Sequence, residues 1–217
     1  MESFWILGAG RFGSLALARI LQLKKDSQVL IVDRNRRSLR GLDEKRVEII
    51  EQDAIDFLLE RSGQGPEWIV PAIPIHVAFA WLCRQLDREG RVKPIPVPSI
   101  VDHQVPNPMR QEANVLYASI ATFRCPDNCD EPVDCCTVTG EPRLANLFDV
   151  FRRIEIGGYL IQVVRSYQLA PGVGGYQLSI LWRLLEEVRS TEKDVLIATA
   201  CRCHGVINAL RWQPTNH

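Results

Sequence analysis

The chain has 217 residues, enough for one large domain or two small ones with a sizeable hydrophobic core. Its 26 basic residues balance 26 acidic ones, which excludes attraction to nucleic acid or to an anionic membrane through a global electrostatic field. With 46% hydrophobic and 24% charged residues, the composition is that of an ordinary soluble protein rather than a disordered or fibrous one.

The N-terminal segment lacks the features of a targeting signal. Its first five residues hold no positive region and run directly into an apolar, strand-like segment, so no cleavable signal peptide is expected. The most apolar segment, Trp68 to Cys83, contains two prolines and falls short of the roughly 20 residues that a membrane span needs. We therefore expect a cytoplasmic protein without membrane insertion, whose seven cysteines do not form structural disulfides.

Strands and helices alternate over the first half of the sequence. Short apolar runs predict five strands, the last of them an edge strand because of its prolines: Phe4–Leu7, Gln28–Val32, Val47–Ile50, Trp68–Val70 and Val92–Val97. Helices are predicted between them, over Phe12–Leu21, Arg34–Leu42, Ala54–Leu59 and His76–Leu86. Such alternation indicates right-handed crossovers and a parallel sheet.

A glycine motif joins the first strand to the first helix. In the spacing G-x-G-x-x-G, Gly8 would make the tight turn, and Gly10 would let the backbone approach a pyrophosphate. Gly13 would let the helix pack closely on the strand, while the free amides at the helix start hold the phosphates. In this strand–turn–helix context the motif predicts a dinucleotide-binding site of the Rossmann type.

Asp33 supplies the second part of that pattern. It lies 20 residues after Gly13, at the end of the second strand, where a carboxylate binds the hydroxyls of the adenosine ribose. A carboxylate there repels a 2′-phosphate, which favours NAD over NADP as the cofactor. Arg34 follows directly and would accommodate such a phosphate, so NADP remains an alternative.

These residues resemble a known family. Three segments carry the likeness: Ile6–Gly13, then Val32–Arg34, then Glu51–Ala54. They are similar to the nucleotide-binding regulatory domain of potassium-uptake and potassium-channel systems, the TrkA-N or RCK type. The likeness covers roughly residues 3 to 86, while the ligand-sensing C-terminal domain usual in that family is not recognisable.

The resemblance implies roles for individual residues. Asp33 would contact the ribose, Asp53 and Ala54 would lie near the adenine, and Arg11 and Phe12 would cover the pyrophosphate. It also implies a homodimer, and a regulatory module that passes its state to a protein partner.

A run of prolines between Pro94 and Pro108 sets the expected boundary between two lobes. We predict a Rossmann-type dinucleotide-binding domain over residues 1–105 and an α/β lobe carrying a cysteine cluster over residues 106–217. The predicted elements of the second lobe are strands Val115–Phe123, Tyr159–Val164, Val195–Thr199 and Val206–Trp212, and helices Leu144–Arg153 and Tyr176–Val188. The expected fold class is α/β, a doubly wound parallel sheet extended or followed by this smaller lobe.

Six of the seven cysteines fall into two groups, each after a predicted strand. The groups are Cys125, Cys129, Cys135 and Cys136, then Cys201 and Cys203. If the two strands are neighbours in a parallel sheet, both groups emerge at the same edge. Thiolates from two loops would then close a four-coordinate metal site.

The predicted metal ligands are Cys125, Cys129, Cys136 and one of Cys201 or Cys203. Cys136 is preferred to Cys135 only because it leads directly into the turn at Gly140. The spacings C-x3-C and C-x-C match no fixed pattern, so zinc and an iron–sulfur cluster are both candidates. A redox dithiol, or thiols that pack as small hydrophobic groups, are alternative interpretations.

Two further features have open interpretations. The turn at Gly172–Gly175 lies between a predicted strand and helix, so it either offers amides to an anion or needs positive φ angles. His76, just after the fourth strand, would fall near the nicotinamide end of the crevice, without a recognisable catalytic partner.

Three functions fit these features. The first is an NAD-linked oxidoreductase, and the second is a module that senses NAD/NADH or metal without catalysis. The third is a zinc-stabilised protein whose nucleotide site is vestigial. No recognisable catalytic set is present, so the sequence leaves open whether the protein is an enzyme.

Overall fold

A computed structural model describes residues 2–43, 45–61, 63 and 65–214 of the chain. Over these residues the chain forms two six-stranded sheets and five α-helices, so the fold class is α/β, as predicted. The structure differs from the predicted elements in three segments, which follow Asp33, follow Val105 and surround Gly172.

The first sheet is built on four short, apolar, parallel strands: β1 (Ser3–Leu7), β2 (Gln28–Asp33), β3 (Glu48–Glu51) and β4 (Trp68–Pro71). Their order in the sheet is β3-β2-β1-β4. The central strand β1 is buried on both faces, which explains its continuous apolar run from Phe4 to Leu7. This strand order is that of one half of a doubly wound dinucleotide-binding sheet.

The helices of this half follow its strands. They are α1 (Arg11–Leu23) after β1, α2 (Ala54–Arg61) after β3 and α3 (Val77–Leu86) after β4. The segment over residues 34–42, predicted to be helical, consists of turns instead. Asp33 accepts a hydrogen bond from the Asn35 backbone N–H, and Asn35 accepts one from that of Arg37. These local turns compete with a helix, a tendency that residue periodicity does not reveal.

A β-hairpin from the second half completes the first sheet. Its strands are β9 (Tyr167–Ala170) and β10 (Val173–Gln177), and β10 pairs antiparallel with β4. The glycine-rich turn is therefore a hairpin, and the prediction that it joins a strand to a helix is wrong. Gly172 has φ +64°, which agrees with the interpretation that this turn needs a positive φ angle.

The second sheet has β12 at its centre. Its strands are β5 (Gly90–Ile95), β6 (Met109–Glu112), β7 (Val115–Ser119), β8 (Tyr159–Arg165), β11 (Asp194–Ala200) and β12 (His204–Pro214). The order is β6-β7-β12-β11-β8, with β5 paired to the far part of β12. The hairpin β6–β7 was not predicted, and β5 pairs antiparallel rather than extending the parallel sheet.

Three helices lie between the two sheets and share one hydrophobic core. They are α2, α3 and α5 (Leu178–Arg189), which pack with inward residues of β1, β2 and β4 on one side and of β8, β11 and β12 on the other. Helix α1 covers the outer face of the first sheet, and α4 (Leu147–Arg152) covers that of the second. Trp81 is fully buried in the shared core, edge to face with Trp182.

Each sheet draws strands from both sides of residue 105. Strand β5 lies before that position and pairs with β12, whereas β9 and β10 lie after it and join β4. Strand pairing therefore links residues 1–105 with residues 106–217. The division into two domains over these ranges stays a prediction.

Substitutions at two glycines of the first turn are expected to differ in their effect on stability. A Cβ at Gly13 would lie 1.8 Å from the Gly8 carbonyl oxygen, whereas a Cβ at Gly10 would have no atom within 4 Å. We expect Gly13→Ala to lower the free energy of unfolding by roughly 1–3 kcal/mol through overpacking. Gly10→Ala is the matched control and should unfold at nearly the wild-type urea concentration. Equal urea concentrations at the unfolding midpoint for the wild type, Gly13→Ala and Gly10→Ala would contradict the packing role of Gly13.

Candidate functional site

The carboxyl ends of β1, β2 and β3 meet at one edge of the first sheet because the three strands are parallel and adjacent. The glycine turn follows β1, Asp33 ends β2, and Asp53 follows β3. Two hydrogen bonds hold the turn in place: Gly8 N–H donates to the Val32 carbonyl at 2.7 Å, and Ala72 N–H donates to that of Leu7 at 2.8 Å. The predicted nucleotide-binding residues thus lie at a common edge.

The glycine turn leaves the start of α1 open to an anion. Gly8 has φ +107°, a conformation that side-chain-bearing residues rarely adopt. Gly10 is the N-cap of α1, and no side chain caps the helix through a hydrogen bond there. The first backbone N–H groups, with the positive end of the helix dipole, are therefore left for a ligand such as a phosphate.

Asp33 is held in a fixed orientation by the backbone. One carboxylate oxygen accepts a hydrogen bond from Ala9 N–H at 2.7 Å, and the other accepts one from Asn35 N–H at 2.7 Å. Each carboxylate oxygen has more than one acceptor position, so ribose hydroxyls can bind beside these donors. The carboxylate of Asp33 thus connects the glycine turn to the end of β2.

The other residues assigned by the resemblance have varied environments. Asp53 caps α2, because its Oδ1 accepts hydrogen bonds from the N–H groups of Ile55 at 2.9 Å and Asp56 at 3.2 Å. Ala54 is buried, whereas Arg34 is exposed. Phe12 is 55% exposed at the start of α1, an unusual position for a large apolar ring.

A long loop from the second half contacts the start of α1. This segment, residues 121–146, is called the cysteine loop here. Arg11 forms an ion pair with Asp127 of the loop, and Arg19 Nη1 donates to the Asp127 carbonyl at 2.6 Å and to the Pro171 carbonyl. The Cys129 carbonyl accepts hydrogen bonds from Gly172 N–H at 2.8 Å and Gln168 Nε2 at 2.6 Å. The nucleotide turn and the cysteine loop are therefore in direct contact.

The two groups of cysteines emerge at the same edge of the second sheet, although the strands before them are not the neighbouring strands of a parallel sheet that this expectation assumed. Strands β7 and β11 are both antiparallel to β12 and therefore run in the same direction. They are not neighbours, because β12 lies between them. Four thiols line one cavity of about 640 Å³: Cys125, Cys129, Cys136 and Cys203. Cys201 lines a second cavity of about 430 Å³, beside Cys125 and His204.

Hydrogen-bond donors surround several of these sulfur atoms. Arg143 Nη1 donates to Cys203 Sγ at 2.7 Å, and its other nitrogens donate to the carbonyls of Pro132 and Cys135. Glu131 N–H donates to Cys129 Sγ at 3.4 Å. The N–H groups of residues 203 and 204 both donate to Cys201 Sγ at 3.4 Å.

The acidity of the thiols differs with their surroundings. Hydrogen bonds from the backbone of Thr139 and Val138 lower the pKa of Cys136. Burial raises the pKa of Cys201 to about 12, and the neighbouring Glu131 carboxylate adds to that shift. Burial also raises the pKa of Cys203, although the Arg143 guanidinium opposes it. The loop that carries Cys136 therefore favours the thiolate form of this residue.

The metal ligands predicted from the sequence do not form a closed site. Among the described residues, no group of three or more His, Cys, Asp and Glu side chains is arranged to hold a metal ion. All seven cysteines are free thiols. Zinc or an iron–sulfur cluster bound by Cys125, Cys129, Cys136, Cys201 or Cys203 therefore stays a prediction.

His76 binds strand residues rather than facing an open crevice. The Asn208 amide nitrogen donates to the Asn114 carbonyl at 2.7 Å, so the amide oxygen faces His76 and accepts a hydrogen bond from the Nδ1–H group at 2.8 Å. His76 Nε2 is then the acceptor for the Thr199 hydroxyl at 2.8 Å. Both ring nitrogens are engaged, so His76 joins the start of α3 to the second sheet as a neutral imidazole.

Several residues at this site carry no signal in the sequence. Arg143, Arg19 and Asp127 reach their partners only through the fold, across sequence separations of 60, 108 and 116 residues. Their residue types are common on protein surfaces. Only the clustering of cysteines around Asp127 marks the loop as unusual.

Among the residues that the structure describes, no helix combines the length and apolar character needed to cross a membrane.

Comparison with known proteins finds a different family model for each part of the chain. Residues 4–63 match the TrkA-N domain, which confirms the resemblance over a shorter range than expected. Residues 78–213 match a family described as "Uncharacterized protein, C-terminal domain". A protein of Archaeoglobus fulgidus, described as "Uncharacterized protein", is 32% identical over 219 residues, covering 95% of this chain and 98% of the relative. No solved structure matches the chain.

The pH dependence of stability is expected to carry a contribution from His76. Burial lowers its pKa to about 4, a shift that the hydrogen bond with Asn208 partly offsets. Below pH 6.5 His76 is protonated in the unfolded chain but stays neutral in the folded chain. The free energy of unfolding therefore decreases as pH falls towards 4. We expect His76 to account for a loss of about 2–3 kcal/mol between pH 7 and pH 4.

Urea unfolding of the wild type and His76→Gln at pH 7, 5.5 and 4 measures this contribution. The variant should be less stable at pH 7, because it loses the ring's hydrogen bonds, and the difference should narrow towards pH 4. Parallel stability profiles for the two proteins would contradict the assignment.

Proposed function

Because the chain belongs to the protein family whose C-terminal domain spans residues 78–213, and carries a TrkA-N domain over residues 4–63, we propose that it is an NAD(H)-binding module of regulatory type. The observation that carries this proposal is the open glycine turn beside a carboxylate fixed by the backbone. The uncapped start of α1 suits a pyrophosphate, and Asp33 suits the ribose hydroxyls.

Each predicted residue has a role in this proposal. Gly8 and Gly13 shape the turn, while Gly10 leaves space for the pyrophosphate and Arg11 and Phe12 cover it. Asp33 binds the ribose with Arg34 beside it, and the adenine lies near Asp53 and Ala54. The capping role of Asp53 orients the first turn of α2 at the place where the adenine edge would lie.

The contact between Arg11 and Asp127 supports a regulatory role rather than simple storage of the nucleotide. Arg11 is next to the turn that would hold the pyrophosphate, and its charge is already paired with the cysteine loop. A bound pyrophosphate and Asp127 therefore compete for the same guanidinium. Nucleotide binding would weaken the attachment of the loop to α1 and so report the occupancy of the site to the second half.

The remaining parts of the proposal concern partners and a second cofactor. The cysteines would hold a zinc ion or an iron–sulfur cluster, and the module would act as a homodimer on a protein partner. The Cys125 thiol lines one cavity with Phe12 of the nucleotide site, which favours an NAD-linked oxidoreductase as the second candidate function. Turnover of NADH with an artificial electron acceptor would favour the enzyme, and tight binding without turnover would favour the regulatory module.

Replacement of Asp33 tests the nucleotide site. We expect Asp33→Asn to weaken NADH binding roughly tenfold to hundredfold, because a charged hydrogen bond contributes about 1.5–3 kcal/mol. Discrimination against NADPH should fall at the same time. Calorimetric titration of both cofactors measures these changes, with Asp26→Asn as the control, since Asp26 is an exposed aspartate before the opposite end of β2. Unchanged affinities for both cofactors would place the ribose elsewhere.

Replacement of Asp127 tests the competition for Arg11. Asp127→Asn should tighten NADH binding about threefold to tenfold, the effect of roughly 1 kcal/mol for an exposed ion pair. Asp130→Asn is the matched control, because it removes the same charge from an exposed position of the same loop. Weaker NADH binding in Asp127→Asn, or equal changes in both variants, would exclude direct competition.

A further inference from the structure

The cysteine loop is anchored without a hydrophobic core of its own. Residues 121–146 form no helix and no strand, apart from an isolated bridge between Cys135 and Pro142. None of these residues belongs to the three clusters of buried apolar side chains. Three of its apolar side chains, those of Val133, Val138 and Leu144, are exposed instead, and Leu144 is 96% exposed. A loop of this length in a compact protein needs some other means of fixing its course.

Polar contacts hold this segment at several points, and in its middle the buried Glu131 carboxylate accepts a hydrogen bond from Arg202 N–H. Near its start, Asp127 and Cys129 contact α1 and the hairpin β9–β10. Near its end, the Arg143 guanidinium joins the carbonyls of Pro132 and Cys135 to Cys203 beyond the loop. These contacts converge on sulfur-bearing residues, so the thiols lie where a further cross-link would secure the whole loop.

The positions of the cysteines divide them into two sets. Three thiols of the loop line one cavity together with a thiol that follows β11: Cys125, Cys129, Cys136 and Cys203. Cys135 does not line that cavity, and its backbone is used in the bridge to Pro142. Cys201 lines the neighbouring cavity, which Cys125, Cys129 and Cys203 also line, and Cys83 lies in α3 within the helix layer. Three thiols therefore line both cavities, and Cys136 completes a set of four in the larger one.

Hydrogen-bond donors lie next to two of these sulfur atoms. Cys129 Sγ accepts an N–H from Glu131, and Cys203 Sγ accepts the Arg143 guanidinium. The Cys136 carbonyl accepts a hydrogen bond from Gly140 N–H at 2.8 Å, and Gly140 has φ +71°. The residues that follow Cys136 therefore form a tight turn. Donors of this kind stabilise and orient metal-bound sulfur, and a cation offsets the negative charge that four thiolates bring.

We propose that Cys125, Cys129, Cys136 and Cys203 bind a single zinc-class divalent ion that fastens the cysteine loop to the edge of the second sheet. This assignment rests on the metal-binding part of the proposed function and chooses among its alternatives. Four thiolates make a closed, tetrahedral site, which is typical of structural zinc. Each thiol gives its proton to solvent as its sulfur binds the ion, so binding releases protons and no oxidant or reductant is needed.

Closing the site requires the loop to contract around the ion. The four sulfur atoms face one cavity but do not yet surround a common point. The loop backbone has no strand or helix that would oppose such a movement. Arg143 would remain beside the bound sulfur of Cys203 as a neighbouring positive charge, not as a ligand.

Zinc titration of the full chain tests this proposal. The protein is purified with a reductant, stripped of metal with a chelator and titrated with Zn²⁺ alone, in the absence of nucleotide. We expect one Zn²⁺ per chain, protection of four of the seven thiols from a thiol-modifying reagent, and a rise in melting temperature. Cys129→Ser and Cys203→Ser should each lose stoichiometric zinc and the thermal shift, with no further loss in the double variant, because both remove one site.

Three matched variants serve as controls. Cys83→Ser, Cys135→Ser and Cys201→Ser should keep one Zn²⁺ per chain, and circular dichroism should be native for all five single variants. Arg143→Gln should weaken zinc binding roughly 10- to 100-fold, as expected for a residue that orients a ligand. Arg124→Gln, which removes an exposed charge from the same loop, should not.

Several results would overturn the proposal. They are stoichiometric zinc in Cys129→Ser or Cys203→Ser, loss of zinc in Cys201→Ser, or no zinc bound by the wild type. Iron and acid-labile sulfide in the anaerobically isolated protein, without stoichiometric zinc binding, would show that the cysteines hold an iron–sulfur cluster and not a single zinc ion. NADH titration of the metal-free protein is a separate measurement, so failure of the nucleotide site and failure of the zinc site can be told apart.

Discussion

The close approach of α1 to β1 is the constraint on which the rest of the site depends. Gly13 leaves no room for even one carbon between the helix and the Gly8 carbonyl. That contact fixes where α1 starts, and the same turn brings Ala9 N–H to the carboxylate of Asp33. It also fixes the positions of Arg11 and Arg19 along the helix, from which the cysteine loop is held. A single steric condition thus aligns the nucleotide turn, the end of β2 and the loop of the second half.

The sequence was most informative where local chemistry decides the structure. The glycine spacing and the apolar runs of β1 and β2 predict the turn and its strands correctly, because each depends on neighbours within a few residues. The prediction of a helix over residues 34–42 failed for the same kind of reason, since side-chain bonds from Asp33 and Asn35 favour turns. Periodicity detects which residues are apolar but not which backbone groups already have a partner.

Long-range pairing is what the sequence does not contain. Val92–Val97 has the composition of an edge strand, yet nothing in it specifies β12 as its neighbour rather than β4. The Gly172 turn was expected between a strand and a helix, but the strands on either side of it pair with each other. Both groups of cysteines were expected at one edge, and they are there because β12 lies between the two strands that precede them. Arg143 was missed because its sulfur partner is 60 residues away.

The exchange of strands between the two sheets has a consequence for the order in which the chain can fold during synthesis. Strand β5 pairs with residues 209–214 of β12, and one edge of β4 stays unpaired until β10 has been synthesised. The glycine turn and its three parallel strands can form early, whereas β5 has no partner until more than a hundred further residues have left the ribosome. Such distant pairings slow folding and leave unpaired edges exposed in the meantime. Pro94 removes one N–H group from this unpaired strand and Pro96 follows its end, which disfavours its pairing with another chain.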